Sequence, residues 1–216
     1  INASLIGVVE VVCKHSDKID NLYGAVHAVQ GMVEENFIDL KHLSIQVAEQ
    51  VAASPSAALG SSRDKPDNEY CQRILEVFKK RDIRYFFYIG GNDSANTAHI
   101  INLMAAEVGY EMRAFPITKT VDNDLLVTDH CPGFGTAAKF VSCALAGDDM
   151  DNRALAGIKI DVIMGRNAGF LTAATALGKQ RKDDGPHLIY MPERPISMEQ
   201  LADDVDKVYT KLGRCV

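Results

Sequence analysis

The sequence predicts an α/β fold in which helices flank a Rossmann-like parallel β-sheet. Three observations predict it: short, fully apolar segments of strand length recur, amphipathic segments of helix length separate them, and polar turns follow the apolar segments directly. Fully apolar strands are typical of parallel sheets that helices cover on both faces. Ligands bind beyond the carboxyl ends of the strands in such sheets, so the polar turns form the candidate site.

The order of the elements indicates one α/β domain over 1–216. Apolar residues spaced three and four apart, from Leu5 to Val12, predict that the chain opens on a helix. Further helices are predicted over 21–35, 44–52, 70–80, 94–108, 133–145, 168–176 and 198–212. Short apolar runs predict strands over 85–89, 112–117, 158–164 and 188–191. The small residues of 53–62 predict a binding loop that leads into Arg63.

The composition excludes several classes of protein. With 47% hydrophobic and 24% charged residues it is typical of a soluble globular domain, and no apolar stretch could span a bilayer. The net charge of −6 argues against a general affinity for nucleic acid or anionic membranes. Five scattered cysteines without a CxxC pair argue against structural zinc and favour reduced thiols. We therefore expect a cytoplasmic protein with neither nucleic-acid nor membrane partners.

The first polar turn runs from Gly90 to Ser94 and joins a predicted strand to a predicted helix. Its glycines let the backbone approach a ligand, and the free amides at a helix start favour an anion. Asn92, Asp93 and Ser94 are also ordinary helix-capping residues. Asp93 beside a phosphate would be unfavourable without a cation. Phosphate binding and plain capping are both open interpretations of this turn.

The second polar segment, Lys119–Asp124, is the most informative one. Asp122 and Asp124 lie two residues apart, directly after Lys119 and Thr120. Phosphoryl transfer needs a base near the attacking hydroxyl and positive charge near the phosphate oxygens, and this segment contains both. A solvated Asp-Asn-Asp turn is the alternative interpretation.

Two more polar turns follow the later predicted strands. One contains Met164, Gly165 and Arg166, and the other contains Glu193. Arg166 is either a ligand contact or a surface arginine, and Glu193 is either an acceptor for sugar hydroxyls or an ordinary loop acid. Because the carboxyl ends of parallel strands meet at one edge of a sheet, we expect all four segments to lie at that edge.

These segments, together with Gly133–Ala137, resemble the phosphofructokinase family in order and spacing. The resemblance runs from about Leu59 to the end of the chain and weakly back to Asn2–Ser4. It implies the N-terminal large domain of the phosphofructokinase fold. It also implies a glycolytic, Mg²⁺-dependent transferase that phosphorylates the 1-hydroxyl of fructose 6-phosphate to give fructose 1,6-bisphosphate.

The resemblance implies a role for each matching residue. Asp122 matches the base that takes the proton of the sugar hydroxyl, and Lys119 and Asp93 are further catalytic positions. The implied sugar-binding residues are Thr120, Val121, Asp122, Asp124, Met164, Gly165, Arg166 and Glu193. Gly91, Ser94 and Arg63 match positions that contact the phosphoryl donor, and the implied metal ligands are Asn92 and Asp124.

Two of these positions separate the phosphoryl donors within the family. Members that use ATP usually have glycine where this chain has Asp93 and Lys119. Asp93 would repel the α-phosphate of a nucleotide, whereas Lys119 can supply charge to the transferring group. Both residues resemble the branch that uses pyrophosphate. An ATP-dependent enzyme and a non-catalytic subunit of the same fold are the alternatives.

The sequence departs from the family pattern in three ways. Asn92 replaces an aspartate that many members use for Mg²⁺, and an amide oxygen is a weaker ligand. The family's opening strand and glycine-rich loop, before Asn2, have no counterpart, and neither has the smaller domain that follows. We therefore expect upstream sequence beyond this chain and an incomplete site within it. The family also suggests a homo-oligomer.

Overall fold

The computed structural model describes all residues 1–216, which form two compact units, Ile1–Lys119 and Thr120–Val216. The first unit contains, in chain order, α1 (Asn2–Lys14), β1 (Tyr23–Ala25), α2 (Val29–Val33), β2 (Phe37–Asp39), α3 (Ile45–Ala53), α4 (Asn68–Lys80), β3 (Tyr85–Gly90), α5 (Asn92–Glu107) and β4 (Arg113–Thr118). The second contains α6 (Phe134–Ala154), α7 (Phe170–Ala174), a 3₁₀ turn (Thr175–Gly178) and α8 (Met198–Leu212).

The first unit is organised around a parallel strand pair. β3 and β4 pair from Tyr85 opposite Arg113 to Gly90 opposite Thr118, and α5 connects them. This βαβ arrangement is the parallel connection that the sequence predicts. β1 and β2 form a separate antiparallel pair. The predicted strands at 85–89 and 112–117 are therefore confirmed.

The apolar core of the first unit lies between the strand pair and its helices. α4 buries one face, as its spacing predicts, because Cys71, Ile74, Leu75 and Phe78 recur at intervals of three and four. The whole buried cluster consists of Val29, Met32, Cys71, Ile74, Leu75, Phe78, Phe86, Ala98, Ile101, Ala105 and Met112. Burial of each large side chain contributes roughly 1.5–3 kcal/mol. This core fixes the strand ends that carry the first two polar segments.

The predicted helix over 21–35 is wrong. The chain instead forms β1, a reversal and the short helix α2 in this region. His27 and Ala28 have φ angles of 60° and 54°, which a right-handed helix excludes. Gly31 permits the reversal, because a Cβ atom there would lie 1.8 Å from the carbonyl oxygen of Val26.

The predicted strands over 158–164 and 188–191 are also wrong. The first segment makes only an isolated parallel bridge, between Ile158 and Cys215, and Ile160 and Val162 are 77% and 92% exposed. The second segment pairs through two bonds, from the backbone N–H groups of His187 and Leu188 to the carbonyl oxygen of Val216. A strand requires a ladder of backbone bonds, and these segments find too few partners to form one.

The second unit combines a small apolar cluster with buried polar contacts. Its buried apolar cluster contains three residues, namely Ala138, Leu171 and Ala174. Arg214 and Asp149 form a buried ion pair, and Arg214 also bonds Asn152. Burial raises the pKa of Asp149, but bonds from Arg214 and other donors outweigh it and lower the pKa overall.

The helices and cysteines agree with two more expectations. No helix is both long enough and apolar enough to cross a bilayer. All five cysteines are free; Cys13 and Cys143 are exposed, whereas Cys71, Cys131 and Cys215 are buried.

Candidate functional site

The first polar turn and Lys119 lie side by side, at the ends of neighbouring parallel strands. The backbone N–H of Lys119 donates to the carbonyl oxygen of Gly90 at 2.8 Å. A Cβ atom on Gly91 would lie 3.6 Å from the carbonyl oxygen of Lys119. The strand ladder thus brings together two segments that are about thirty residues apart in sequence. The expectation that Lys119 lies at the same sheet edge as the first turn is confirmed.

The start of α5 leaves its amide groups accessible. Gly91 is the N-cap residue and has no side chain that could accept a hydrogen bond from the first turn of the helix. Uncapped amides at a helix start are a favourable environment for an anion. Lys119, half-buried next to this turn, adds a positive charge. The arrangement is chemically suited to a phosphate group.

Ser94 explains why Gly90 is required in this turn. A Cβ atom at position 90 would lie only 2.1 Å from the Ser94 hydroxyl oxygen, so any larger residue would displace that hydroxyl. The Ser94 side chain also lies close to the Tyr88 hydroxyl on β3. Burial raises the pKa of Tyr88, and the contact with Ser94 acts in the opposite direction. The Ser94 hydroxyl is thereby held over the strand end.

Asp93 lies in the first turn of α5, where the helix dipole favours a negative charge. Its carboxylate is 3.5 Å from the ammonium group of Lys65, and both side chains are largely exposed. Such an exposed pair contributes little stability, about 0–1 kcal/mol. Arg63, two residues before Lys65, is exposed and makes no ion pair. These two cations can approach a negatively charged ligand without breaking a buried contact.

Residues 120–131 of the second unit, here called the acidic loop, are held by side-chain hydrogen bonds. The backbone N–H of Asp122 donates to the Thr120 hydroxyl at 3.2 Å. Asn123 is buried and has a φ of 58°. Both polar atoms of its side-chain amide bond main-chain groups later in the same loop. Its Oδ1 accepts from the N–H of Cys131 at 2.8 Å, and its Nδ2 donates to the carbonyl oxygen of Asp129 at 3.1 Å.

One carboxylate oxygen of Asp122, Oδ1, is buried and has no hydrogen-bond partner. Native proteins satisfy most buried polar atoms, so a buried oxygen without a partner calls for an explanation, such as a bound ligand, ion or water. Val121, the preceding residue, packs against the apolar cluster of α6 and α7 and anchors the loop. The Oδ1 atom of Asp122 is therefore available to accept a proton or a hydrogen bond from a hydroxyl group.

The third polar turn is a tight one that only glycine fits. Gly165 has a φ of 136°, and a Cβ atom there would lie 2.3 Å from the carbonyl oxygen of Ala168. The neighbouring Met164 and Arg166 are exposed, and Arg166 makes no ion pair. The structure leaves both side chains open to a ligand.

Glu193, in the fourth turn, contacts the start of α7 just beyond the third turn. Its Oε1 accepts from the backbone N–H of Gly169 at 2.8 Å, and this bond is the leading cause that lowers the pKa of Glu193. A Cβ atom on Gly169 would lie 2.7 Å from the Met191 Cβ and 2.8 Å from Glu193 Oε2. The third and fourth turns are thus brought together as expected, although the predicted strands before them do not form.

The predicted metal ligands are oxygen donors of the kind that suits Mg²⁺. No group of three or more His, Cys, Asp or Glu side chains is arranged to hold a metal ion. Mg²⁺ commonly binds one or two protein carboxylates and completes its shell with water and substrate phosphates. Asn92 and Asp124 each carry a side-chain oxygen of the kind that binds Mg²⁺, and their assignment as metal ligands stays a prediction.

Sequence analysis missed three residues of this region, Lys65, Asn123 and Gly169. A signal existed only for Asn123, because asparagine is enriched among residues in the left-handed conformation and stands between two aspartates. The roles of Lys65 and Gly169 depend on contacts with residues 28 and 24 positions away.

The fold and these turns define an α/β protein with groups suited to phosphate chemistry. Residues 1–215 match the family model described as phosphofructokinase, and the chain belongs to that family.

The chain is similar to several proteins named for their use of pyrophosphate. It is 51% identical to a pyrophosphate–fructose 6-phosphate 1-phosphotransferase of Rhodospirillum rubrum, over 100% of this chain and 53% of the relative. A protein of the same name from Halomonas elongata is 36% identical, over 100% and 54%. The crystal structure of a pyrophosphate-dependent phosphofructokinase from Marinobacter aquaeolei superimposes with a TM-score of 0.88 at 36% identity, covering 100% and 55%. The chain thus spans about half the length of these relatives.

Proposed function

We propose that this chain supplies the base and part of the phosphate site of a pyrophosphate-dependent phosphotransferase acting on fructose 6-phosphate. The buried Asp122 oxygen without a partner, held in a fixed loop, carries the proposal. The names of the relatives in Rhodospirillum rubrum and Halomonas elongata support the same reaction. Because the chain spans about half of those relatives, we propose the activity for the full-length protein.

The reaction begins with proton transfer from the sugar to Asp122. The 1-hydroxyl gives its proton to the Asp122 carboxylate while its oxygen attacks one phosphorus of pyrophosphate. The bond from that phosphorus to the bridging oxygen breaks, inorganic phosphate leaves, and fructose 1,6-bisphosphate forms. The Lys119 ammonium group stabilises negative charge on the transferring group. Mg²⁺, with Asp124 and Asn92 as its proposed protein ligands, would neutralise phosphate oxygens.

The remaining predicted residues bind the two substrates. Gly91, Ser94 and Arg63 are proposed contacts of pyrophosphate, supported by the uncapped start of α5. The proposed sugar contacts are Thr120, Val121, Asp124, Met164, Gly165, Arg166 and Glu193. Arg166 is exposed and unpaired, and Glu193 keeps one oxygen free of the Gly169 amide.

Asp93 favours pyrophosphate over ATP as the donor. Its carboxylate lies in the first turn of α5, and the family resemblance implies that the α-phosphate of ATP would bind close to this position. Pyrophosphate lacks both that phosphate and the adenosine. Replacement of Asp93 and Lys119 by glycine should therefore lower turnover with pyrophosphate and raise the ratio of ATP to pyrophosphate use. Equal use of both donors by the unaltered protein would contradict the donor assignment.

The Asp122→Asn variant of the full-length protein tests the catalytic assignment. Loss of a general base should lower kcat by about 10²–10⁴-fold, with a smaller effect on the KM for pyrophosphate. Asp129→Asn is the matched control, because Asp129 lies in the same loop with an exposed side chain and contributes only its backbone carbonyl. If Asp122→Asn kept the turnover of the control, Asp122 would not be the base.

We further propose that the protein works in the cytoplasm as a homo-oligomer. The free state of all five cysteines is consistent with a reducing compartment. Light scattering of the full-length protein would measure the assembly directly.

A further inference from the structure

The acidic loop contains one buried polar side chain that the proposed reaction does not use. Asn123 lies between Asp122 and Asp124 and is 6% exposed. A buried amide that satisfies both its donor and its acceptor is a strong local constraint on the backbone. The two partners of Asn123 are main-chain groups of the same loop, on Asp129 and Cys131.

These bonds hold the first and last residues of the loop next to each other. The Asn123 amide joins residues 122–124 to residues 129–131, and Cys131 is itself buried. The segment between these residues contains Leu126 and Val127, which are fully exposed or nearly so. The side-chain bonds of Asn123 therefore hold residues 122–124 in place, whereas the exposed residues Leu126 and Val127 contribute no packing.

The left-handed conformation of Asn123 sets the direction of the chain at Asp122. Its φ of 58° turns the backbone between the two aspartates. On the other side, the Asp122 N–H is held by the Thr120 hydroxyl. Asn123 and the Thr120 hydroxyl thus constrain the backbone of Asp122 from either side, and the buried Oδ1 atom of Asp122 has no hydrogen-bond partner.

We propose that Asn123 is a positioning residue that holds the Asp122 carboxylate for proton transfer. This inference rests on the proposed function, because it gives Asp122 the role of the base. Asn123 acts through the backbone and does not itself contact the reacting atoms. A displacement of about 1 Å at a catalytic group can lower a rate about 10²-fold, so the expected effect is large.

Two variants separate the hydrogen bonds of Asn123 from its backbone conformation. Asn123→Gly keeps access to the left-handed region but removes both side-chain bonds. Asn123→Asp keeps the acceptor for the Cys131 N–H, but it loses the donor to Asp129 and places a further negative charge between Asp122 and Asp124. We expect kcat to fall about 10- to 100-fold in Asn123→Gly and at least as much in Asn123→Asp, with little change in the KM for pyrophosphate.

The test is a double-mutant cycle in the full-length protein with Asp122→Asn, Asn123→Gly and the pair. If Asn123 acts through Asp122, Asn123→Gly lowers turnover in the unaltered background and has no further effect in Asp122→Asn. Equal losses in both backgrounds, or a loss of folded protein at unchanged turnover per folded molecule, would overturn the positioning role. Thermal unfolding measures the folded fraction, and Asn123→Asp replaces Asn123→Gly if the latter does not fold.

The same cycle separates this inference from the proposed function. Near-normal turnover in Asp122→Asn alone would overturn the assignment of Asp122 as base, and with it the role of Asn123. A loss in Asp122→Asn combined with unchanged turnover in Asn123→Gly would overturn only the positioning role.

Discussion

The two units hold their candidate site residues by different physical means. In Ile1–Lys119, the ladder between β3 and β4 and the apolar core behind it fix the Gly90–Ser94 turn next to Lys119. In Thr120–Val216, side chains hold the backbone instead, as Asn123 does in the acidic loop. Backbone hydrogen bonds between strands form with many different side chains, whereas a loop held by one side chain loses its support when that residue is replaced. Single substitutions at such side chains should therefore disturb the local structure of the second unit more than single substitutions disturb the first unit.

The largest expected effect is the loss of the buried ion pair in the second unit. Arg214→Met removes the principal partner of the buried Asp149 and should lower the free energy of unfolding by about 3–5 kcal/mol. Amide hydrogen exchange should accelerate in Thr120–Val216 and not in β3 or β4. Arg181→Met, at an exposed arginine without an ion pair, is the matched control. An unchanged midpoint of unfolding in Arg214→Met would contradict the comparison.

A somewhat smaller effect is expected from a cavity in the first unit. Ile101→Ala, at a fully buried position of α5, should cost about 2–5 kcal/mol. Leu103→Ala, on the same helix but 49% exposed, should change stability by less than about 0.5 kcal/mol. Denaturant titration measures both. Similar costs for the two variants would show that the apolar core does not govern this unit.

The smallest expected effect is the acid sensitivity of the contact between Glu193 and Gly169. The Gly169 amide stabilises the Glu193 carboxylate and lowers its pKa below the ordinary value of 4.5. Its contribution to stability is therefore present above about pH 4.5 and is lost as pH falls through the lowered pKa. NMR titration of the Glu193 carboxyl carbon measures this pKa directly, and Glu193→Gln should remove the pH dependence. A midpoint at or above 4.5 would contradict the contact.

Elements of the fold that depend on local pattern were predictable from the sequence. α4 begins two residues before its predicted start and ends where predicted, because its buried face repeats at helical spacing. α6 extends to Ala154, nine residues past its predicted end at 145. Its last turns bury Asp149 and Asn152 against Arg214, and a polar buried face has no apolar periodicity to detect.

Elements that depend on distant partners were not predictable. The segment 158–164 has the composition of a strand, but a strand is defined by its neighbours, and here only Cys215 pairs with it. In the candidate site, the parallel-sheet rule correctly placed Gly91 next to Lys119. No such rule places Asp129 and Cys131 next to Asn123, because an irregular loop has no repeating geometry.

The buried cysteines are distributed over both units, so their reaction with alkylating reagents can report local unfolding of each unit. Burial raises the pKa of the Cys71 and Cys215 thiols, so both should react slowly with alkylating reagents while the fold is intact. Cys71 belongs to the first unit, and Cys131 and Cys215 belong to the second. Mass spectrometry of labelled peptides would therefore reveal which unit opens first, without any engineered probe. The exposed thiols of Cys13 and Cys143 serve as internal standards for labelling of the folded protein.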